Sequence, residues 1–142
     1  MRLFARSVMR LTGAMDIIGV HHIALIASDY EASKAFYVDV VGFTLEAEYY
    51  REARQSWMGK LALNGHYVLE LFSFPDSPPR KTGPESLGLR HLAFEVADVP
   101  AARDELLAQG VACEELRTDP NTGKAMFFFR DPDGAPLEVY ES

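Results

Sequence analysis

The hydrophobic residues of this chain follow the same pattern of spacing in both halves. After Asp29, apolar side chains recur at helical spacing, and Gly42 then stops the run. After Asp98 the same spacing recurs and ends at Gly110. Aspartate is a good first residue for a helix, because its carboxylate accepts hydrogen bonds from the free N–H groups of the first turn. The pattern therefore predicts one helix in each half.

Short apolar runs typical of strands surround each predicted helix. One run precedes each aspartate and three follow each helix. The later runs cover residues 44–51, 60–64, 67–74, 111–117, 125–130 and 136–140. The order is therefore β-α-β-β-β twice, which predicts the α+β class. Four prolines between residues 75 and 84 indicate a linker, so we expect one domain over residues 16–142, with modules at about 17–74 and 87–141.

The two halves also repeat their polar residues. Aligning His22 with His91 brings Asp29 onto Asp98, each seven residues later, and Gly19 onto Gly88. Near the end of each half, a glutamate stands alone in an apolar strand. Glu70 lies 48 residues after His22, and Glu138 lies 47 residues after His91. Such a duplicated pairing of imidazole and carboxylate is the strongest chemical signal in the sequence.

A carboxylate buried among apolar residues is costly unless a partner neutralises it. A single histidine or glutamate on a strand is usually an ordinary polar residue, but four such residues in the same register call for a shared partner. A divalent cation suits imidazole and carboxylate ligands. We therefore predict a metal site built from His22, Glu70, His91 and Glu138. His21 competes for the first position, but we expect it to point to the opposite face of the strand and to be structural.

Composition narrows the possible partners. The 142 residues include 14 basic and 21 acidic side chains, a net charge of -7, which argues against nucleic acid or an anionic membrane as the main partner. The single cysteine, Cys113, is compatible with a cytoplasmic location. Residues 1–15 contain arginines in their first part and precede the first strand, so we expect a disordered extension; an Arg-rich transit peptide is the alternative. Phe127, Phe128 and Phe129 are expected in the core, with one ring able to line a pocket.

Several motifs resemble those of the vicinal oxygen chelate superfamily, which includes glyoxalase I, fosfomycin resistance proteins, extradiol dioxygenases and bleomycin-binding proteins. The motifs are V-H-H-I-A-L, S-K-A-F-Y-V-D-V-V-G-F, L-E-L-F-S-F-P, L-R-H-L-A-F-E-V and D-P-D-G-A-P-L-E-V-Y-E. The resemblance covers about residues 17–141 and is similar in detail to a bacterial glyoxalase-related subgroup. It implies that the two βαβββ modules form a half-open mixed barrel.

The glyoxalase I pattern of His, Glu, His and Glu corresponds to the four predicted ligands. The resemblance implies a lyase or isomerase of the lactoylglutathione lyase type, which transfers a proton through an enediolate. It implies Ni, Co or Zn as the cation, with Mn or Fe as alternatives, a small-molecule substrate and a homodimer. Glu138 is the predicted catalytic base and Glu70 its symmetric counterpart. One chain could also bring its own two halves together.

The chain departs from glyoxalase I at two positions that contact glutathione there. These positions are Ile26 and Phe74, and neither side chain can pair with a carboxylate or an amide. The residues at these two positions therefore argue against binding of glutathione. A segment containing Arg51, Arg54 and Trp57 could supply an anion contact, or it could be a charged loop with a packed Trp57. The other functional hypotheses are a dioxygenase, a thiol transferase and a non-catalytic module that binds a small molecule.

Overall fold

The computed structural model describes residues 13–142. Most of the predicted extension, residues 1–12, lies outside the described part. The remaining chain contains two helices and eight strands, whose bounds follow in chain order. They are β1 (Ile23–Ala27), α1 (Tyr30–Ala35), β2 (Thr44–Arg51), β3 (Ser56–Leu63), β4 (His66–Ser73), β5 (Leu92–Val96), α2 (Val99–Ala108), β6 (Arg117–Thr118), β7 (Ala125–Arg130) and β8 (Pro136–Glu141).

The strands form two sheets of the same topology, one from each half. Their orders are β1-β4-β3-β2 and β5-β8-β7-β6. In each sheet the first and last strands of the half are parallel neighbours, whereas the other pairs are antiparallel. The predicted α+β class with two βαβββ modules is confirmed, and each sheet is mixed and open, consistent with a half-open barrel.

Both predicted helix starts are confirmed. The Asp29 carboxylate accepts a hydrogen bond from the Ala32 N–H at 3.0 Å, and the Asp98 carboxylate accepts one from Ala101 at 2.9 Å. The first helix continues beyond α1 as a π-helical segment, Phe36–Val41. It ends at Gly42, whose φ of 101° lies in the left-handed region that glycine tolerates best.

Two predicted strands differ in extent by more than one residue. The strand predicted at residues 60–64 begins earlier, at Ser56, because Ser56 to Gly59 continue the pairing with β2. The strand predicted at residues 111–117 is wrong for most of its length. Cys113 makes one isolated bridge to Phe129, and regular pairing with β7 is limited to Arg117 and Thr118. Exposed glutamates at positions 114 and 115 interrupt the segment, in keeping with the low strand preference of that residue.

One face of each sheet builds the core. Leu61, Leu69 and Leu71 of the first half are almost fully buried, as are Phe127 and Leu137 of the second. The halves are joined by contacts that include the Tyr37 hydroxyl, which donates to Asp131 Oδ2 at 2.8 Å. The Ser28 N–H and hydroxyl both donate to the Asp133 carboxylate. These contacts anchor the turn between β7 and β8 to the first half.

The opposite face of each sheet is open. Strand pairing places Ala24, Glu70 and Lys60 side by side on the open face of the first sheet. It places Ala93, Glu138 and Phe128 at the equivalent positions of the second sheet. Each candidate glutamate therefore lies at the centre of an open face, next to a small alanine. No helix in residues 13–142 is long and apolar enough to cross a membrane.

Candidate metal centre

The two candidate histidines occupy equivalent positions, each immediately before the first strand of its half. His22 precedes β1 and His91 precedes β5. The parallel partner strand brings the glutamate alongside, since Glu70 is opposite Ala24 and Glu138 is opposite Ala93. The repeat thus builds the same pair of side chains twice.

In the first pair, His22 Nε2 lies 3.8 Å from Glu70 Oε2. The His22 ring stacks on Tyr67 with centroids 5.2 Å apart, and the Tyr67 hydroxyl donates to Glu70 Oε2. Burial, followed by this hydrogen bond, raises the pKa of the Tyr67 hydroxyl above its ordinary value. Tyr67 therefore remains a proton donor and holds the carboxylate beside the imidazole.

His21 lies beside His22 rather than on the opposite face, so that prediction is wrong. The two Nδ1 atoms are 2.8 Å apart. Strand alternation does not separate these residues, because β1 begins only at Ile23. One of the two nitrogens must donate to the other. If His22 Nδ1 carries the proton, its Nε2 lone pair faces the Glu70 side and can bind a cation.

In the second pair, His91 Nε2 lies 2.8 Å from Glu138 Oε2. Glu138 is only 7% exposed, the sole acidic residue among the buried residues of the described part. The edge of the His91 ring meets Phe128 at a centroid distance of 5.1 Å. Arg90 Nη1 lies 3.2 Å from His91 Nδ1. Because a guanidinium only donates, Nδ1 is the acceptor there and the Nε2 proton faces Glu138.

The four predicted ligands thus form two separate pairs. Within residues 13–142, no three histidine, cysteine, aspartate or glutamate side chains come together closely enough to hold one metal ion. The donor types nevertheless suit a divalent cation, since imidazole nitrogens and carboxylate oxygens are common ligands of such ions. Each half therefore places one imidazole beside one carboxylate on an open sheet face.

Sequence reasoning missed Tyr67 and Arg90, although Tyr67 lies three residues before Glu70 and Arg90 directly precedes His91. The sequence predicted that one of the three phenylalanine rings could line a pocket but did not identify which one. Phe127 and Phe129 are in the core, and Phe128 is the one ring on the open face. Trp57 is packed, since its ring stacks on Tyr30 at 5.4 Å.

Ile26 and Phe74, the two positions at which the sequence departs from the glyoxalase I pattern, have exposed or apolar surroundings. Ile26 is 56% exposed on the open face. Phe74 stacks on Phe72, and the Arg51 guanidinium lies 5.0 Å from the centre of the Phe72 ring. Neither Ile26 nor Phe74 provides a hydrogen-bond donor at these positions.

The chain is similar to known proteins of one superfamily. The family model of the Glyoxalase/Bleomycin resistance protein/Dioxygenase superfamily matches residues 19–139. The uncharacterized protein YaeR of Escherichia coli (strain K12) is 62% identical over 122 residues, which cover 86% of this chain and 95% of YaeR. The resemblance to a bacterial glyoxalase-related subgroup is thereby confirmed.

A solved structure and a more distant relative extend this comparison. The crystal structure of a glyoxalase family protein from Enterococcus faecalis is 43% identical, with a TM-score of 0.82, covering 89% of this chain and all of the other. A 2-epi-5-epi-valiolone epimerase from Actinomyces sp is 30% identical over 148 residues, which cover 89% of this chain and 81% of the epimerase.

Proposed function

Because the chain belongs to the Glyoxalase/Bleomycin resistance protein/Dioxygenase superfamily, we propose that it is a divalent-metal-dependent lyase or isomerase of the glyoxalase I type. The reaction would move a proton between adjacent carbons of a small substrate. The observation that carries the proposal is the duplicated pair: each half brings an imidazole Nε2 to a carboxylate on an open sheet face.

The residues that would hold the cation are His22, Glu70, His91 and Glu138. Two imidazoles and two carboxylates suit Ni, Co or Zn, with Mn or Fe as alternatives. When bound, such a cation polarises a substrate carbonyl and makes the neighbouring C–H bond more acidic. Tyr67 and His21 would orient the ligands of the first half through the contacts described above.

We propose that one metal site takes His22 and Glu70 from one chain and His91 and Glu138 from a second copy. Two observations support a homodimer of this kind. The pairs of a single chain do not form one group in the described residues, and both sheets leave the face that carries them open. A second copy could cover an exposed apolar side chain such as Ile26 and complete the ligand set.

Glu138 is the proposed proton acceptor. It is nearly buried, and its close contact is with His91. Glu70, the symmetric counterpart, is less buried, with 16% of its side chain exposed against 9% for Glu138. Burial excludes water from Glu138, so a proton taken from carbon there could return to the adjacent carbon without exchange with solvent.

We propose that the carbonyl substrate is not a glutathione adduct, because Ile26 and Phe74 offer no group to bind the peptide part. The similarity to an epimerase supports proton transfer at carbon as the underlying chemistry, since inversion of a stereocentre can proceed by removal and return of a proton. The cytoplasmic location stays a prediction.

Elemental analysis tests the proposal directly. Purified protein loaded with Ni, Co or Zn should retain the metal after desalting, and His22→Ala and His91→Ala should each lose most of it. His66→Ala, which removes an exposed histidine on β4, should retain it. A methylglyoxal–glutathione assay of the loaded protein should show little turnover compared with glutathione-free carbonyl substrates. Full metal retention by both ligand variants would contradict the proposed site.

A further inference from the structure

A cavity of about 220 Å³ is lined in part by Arg90 and Phe128, and both of these side chains contact His91 of the second pair. Five cationic side chains line it, with only two acidic ones, Glu85 and Glu114. The cations are Arg80, Lys81, Arg90, Arg117 and Arg130. This positive concentration is unexpected in a chain whose net charge is -7. A cavity lined by charges of one sign attracts ligands of the opposite sign.

Phe128 connects this cavity to the proposed metal ligands. The Arg90 guanidinium carbon lies 5.8 Å from the centre of the Phe128 ring, and that of Arg117 lies 5.3 Å away. The same ring meets His91 at 5.1 Å and is paired across the strands with Glu138. An anion held between the two arginines would therefore lie beside the residues proposed to act on the substrate.

The arginines of the cavity differ in the hydrogen bonds and ion pairs that they already make. Arg80 donates to the carbonyl oxygens of Leu89 and Arg90, and Arg130 donates to that of Gly134. Arg117 has a long contact of 3.4 Å with Glu114, and both side chains are 53% exposed. Arg90 pairs with Glu85, and these two side chains are 60% and 68% exposed. Exposed ion pairs contribute little stability, so a ligand can displace them.

We propose that this cavity binds the phosphate group of a phosphorylated small molecule, with Arg90 and Arg117 as its principal contacts. The proposal rests on the proposed function and specifies its substrate class: a carbonyl compound that carries a phosphate monoester. Planar guanidinium groups bind phosphate oxygens through paired N–H donors. The excess of cations over acids in the cavity favours a dianion over a single carboxylate.

Isothermal titration calorimetry with inorganic phosphate tests this site without metal or turnover. The full chain is first stripped of metal with a chelator and desalted, and is then measured at low ionic strength and about pH 8, where phosphate is mainly a dianion. We expect Arg117→Gln and Arg90→Gln each to weaken phosphate binding about fivefold or more. Glu85→Gln should strengthen it about twofold, because the acid that competes for Arg90 is removed. Lys34→Gln, on α1, has the same charge change as the arginine variants and should leave binding nearly unchanged.

The results separate this site from the metal site. Acetate should bind more weakly than phosphate, and equal affinity would contradict the assignment of a dianion. Unchanged phosphate affinity in both arginine variants, or an equal loss in Lys34→Gln, would overturn the inference. Metal content, measured on separate samples of the same variants loaded with Ni, Co or Zn and then desalted, tests the proposed function independently, because phosphate binding by metal-free protein does not require the four ligands.

Discussion

Tyr37 and Tyr140 provide an internal comparison of the same hydrogen bond in two environments. Each hydroxyl donates to an aspartate carboxylate at 2.8 Å, Tyr37 to Asp131 and Tyr140 to Asp119. Tyr37 is fully buried between the two halves of the chain. Tyr140 lies near the surface. The two bonds should therefore differ in what they contribute to stability.

Tyr37→Phe removes the hydroxyl and preserves the ring, so the loss should come from the hydrogen bond rather than from a large cavity. A hydrogen bond to a charged group contributes about 1.5–3 kcal/mol. The other Asp131 oxygen keeps its bonds to the N–H groups of Asp133 and Ala135, so the carboxylate is not left without partners. We therefore expect a loss of about 2 kcal/mol, equivalent to roughly 4–8 °C in Tm.

Urea unfolding followed by circular dichroism measures this difference, at one fixed protein concentration because an oligomer would couple stability to concentration. Tyr140→Phe is the matched control. Its hydroxyl also contacts Thr122 Oγ1, but the variant should still lose much less stability, since water replaces both lost partners. Equal losses in the two variants would refute the argument that burial sets the strength of the Tyr37 bond.

The effect of Tyr37→Phe should also depend on pH. Burial, followed by the nearby charge of Asp131, raises the pKa of Tyr37 well above its ordinary value of 10.0. Below pH about 10, tyrosine is protonated in both the folded and unfolded states and the full difference is present. Above that pH, the unfolded tyrosine loses its proton whereas the folded one does not, so the wild type loses stability. The difference in free energy of unfolding between the wild type and Tyr37→Phe should then shrink. A difference that widens would contradict the raised pKa.

Two further substitutions test the site and the packing. Glu138→Gln should retain most of the metal but lose turnover of the carbonyl substrate, because the amide cannot accept the proton, whereas Glu95→Gln should retain both metal and turnover. Elemental analysis measures the metal and a turnover assay measures the activity. Unchanged turnover in Glu138→Gln would exclude Glu138 as the base. Gly59→Ala should cost about 1–3 kcal/mol, because the new Cβ would lie 2.5 Å from the Tyr30 hydroxyl. Gly19→Ala, where nothing lies within 4 Å, should be neutral in the same urea unfolding experiment, and equal effects would contradict the packing argument.

The repeat explains why the fold was largely predictable. Both aspartates cap helices at the positions indicated by their spacing, and β2 and β7 have the predicted bounds. Local sequence carries this information, because capping and strand alternation depend on neighbouring residues. Each predicted histidine also lies beside its glutamate.

The errors concern features that depend on tertiary contacts. The π-helical segment keeps the apolar spacing of an ordinary helix, so the pattern does not distinguish the two. The predicted orientation of His21 is wrong because His21 and His22 both precede β1, so strand alternation does not apply to them. Arg90 and Arg117 contact Phe128 from separate loops and strands. No local sequence pattern predicts such contacts.

Metal content of mixed dimers tests the central claim that the two pairs meet across two chains. His22→Ala and His91→Ala each remove one ligand, so either variant alone should bind almost no metal. A heterodimer purified from co-expressed, differently tagged variants should regain about half the metal of the wild type, because one of its two sites draws only on intact halves. Heterodimers that remain metal-free would contradict a site shared between chains.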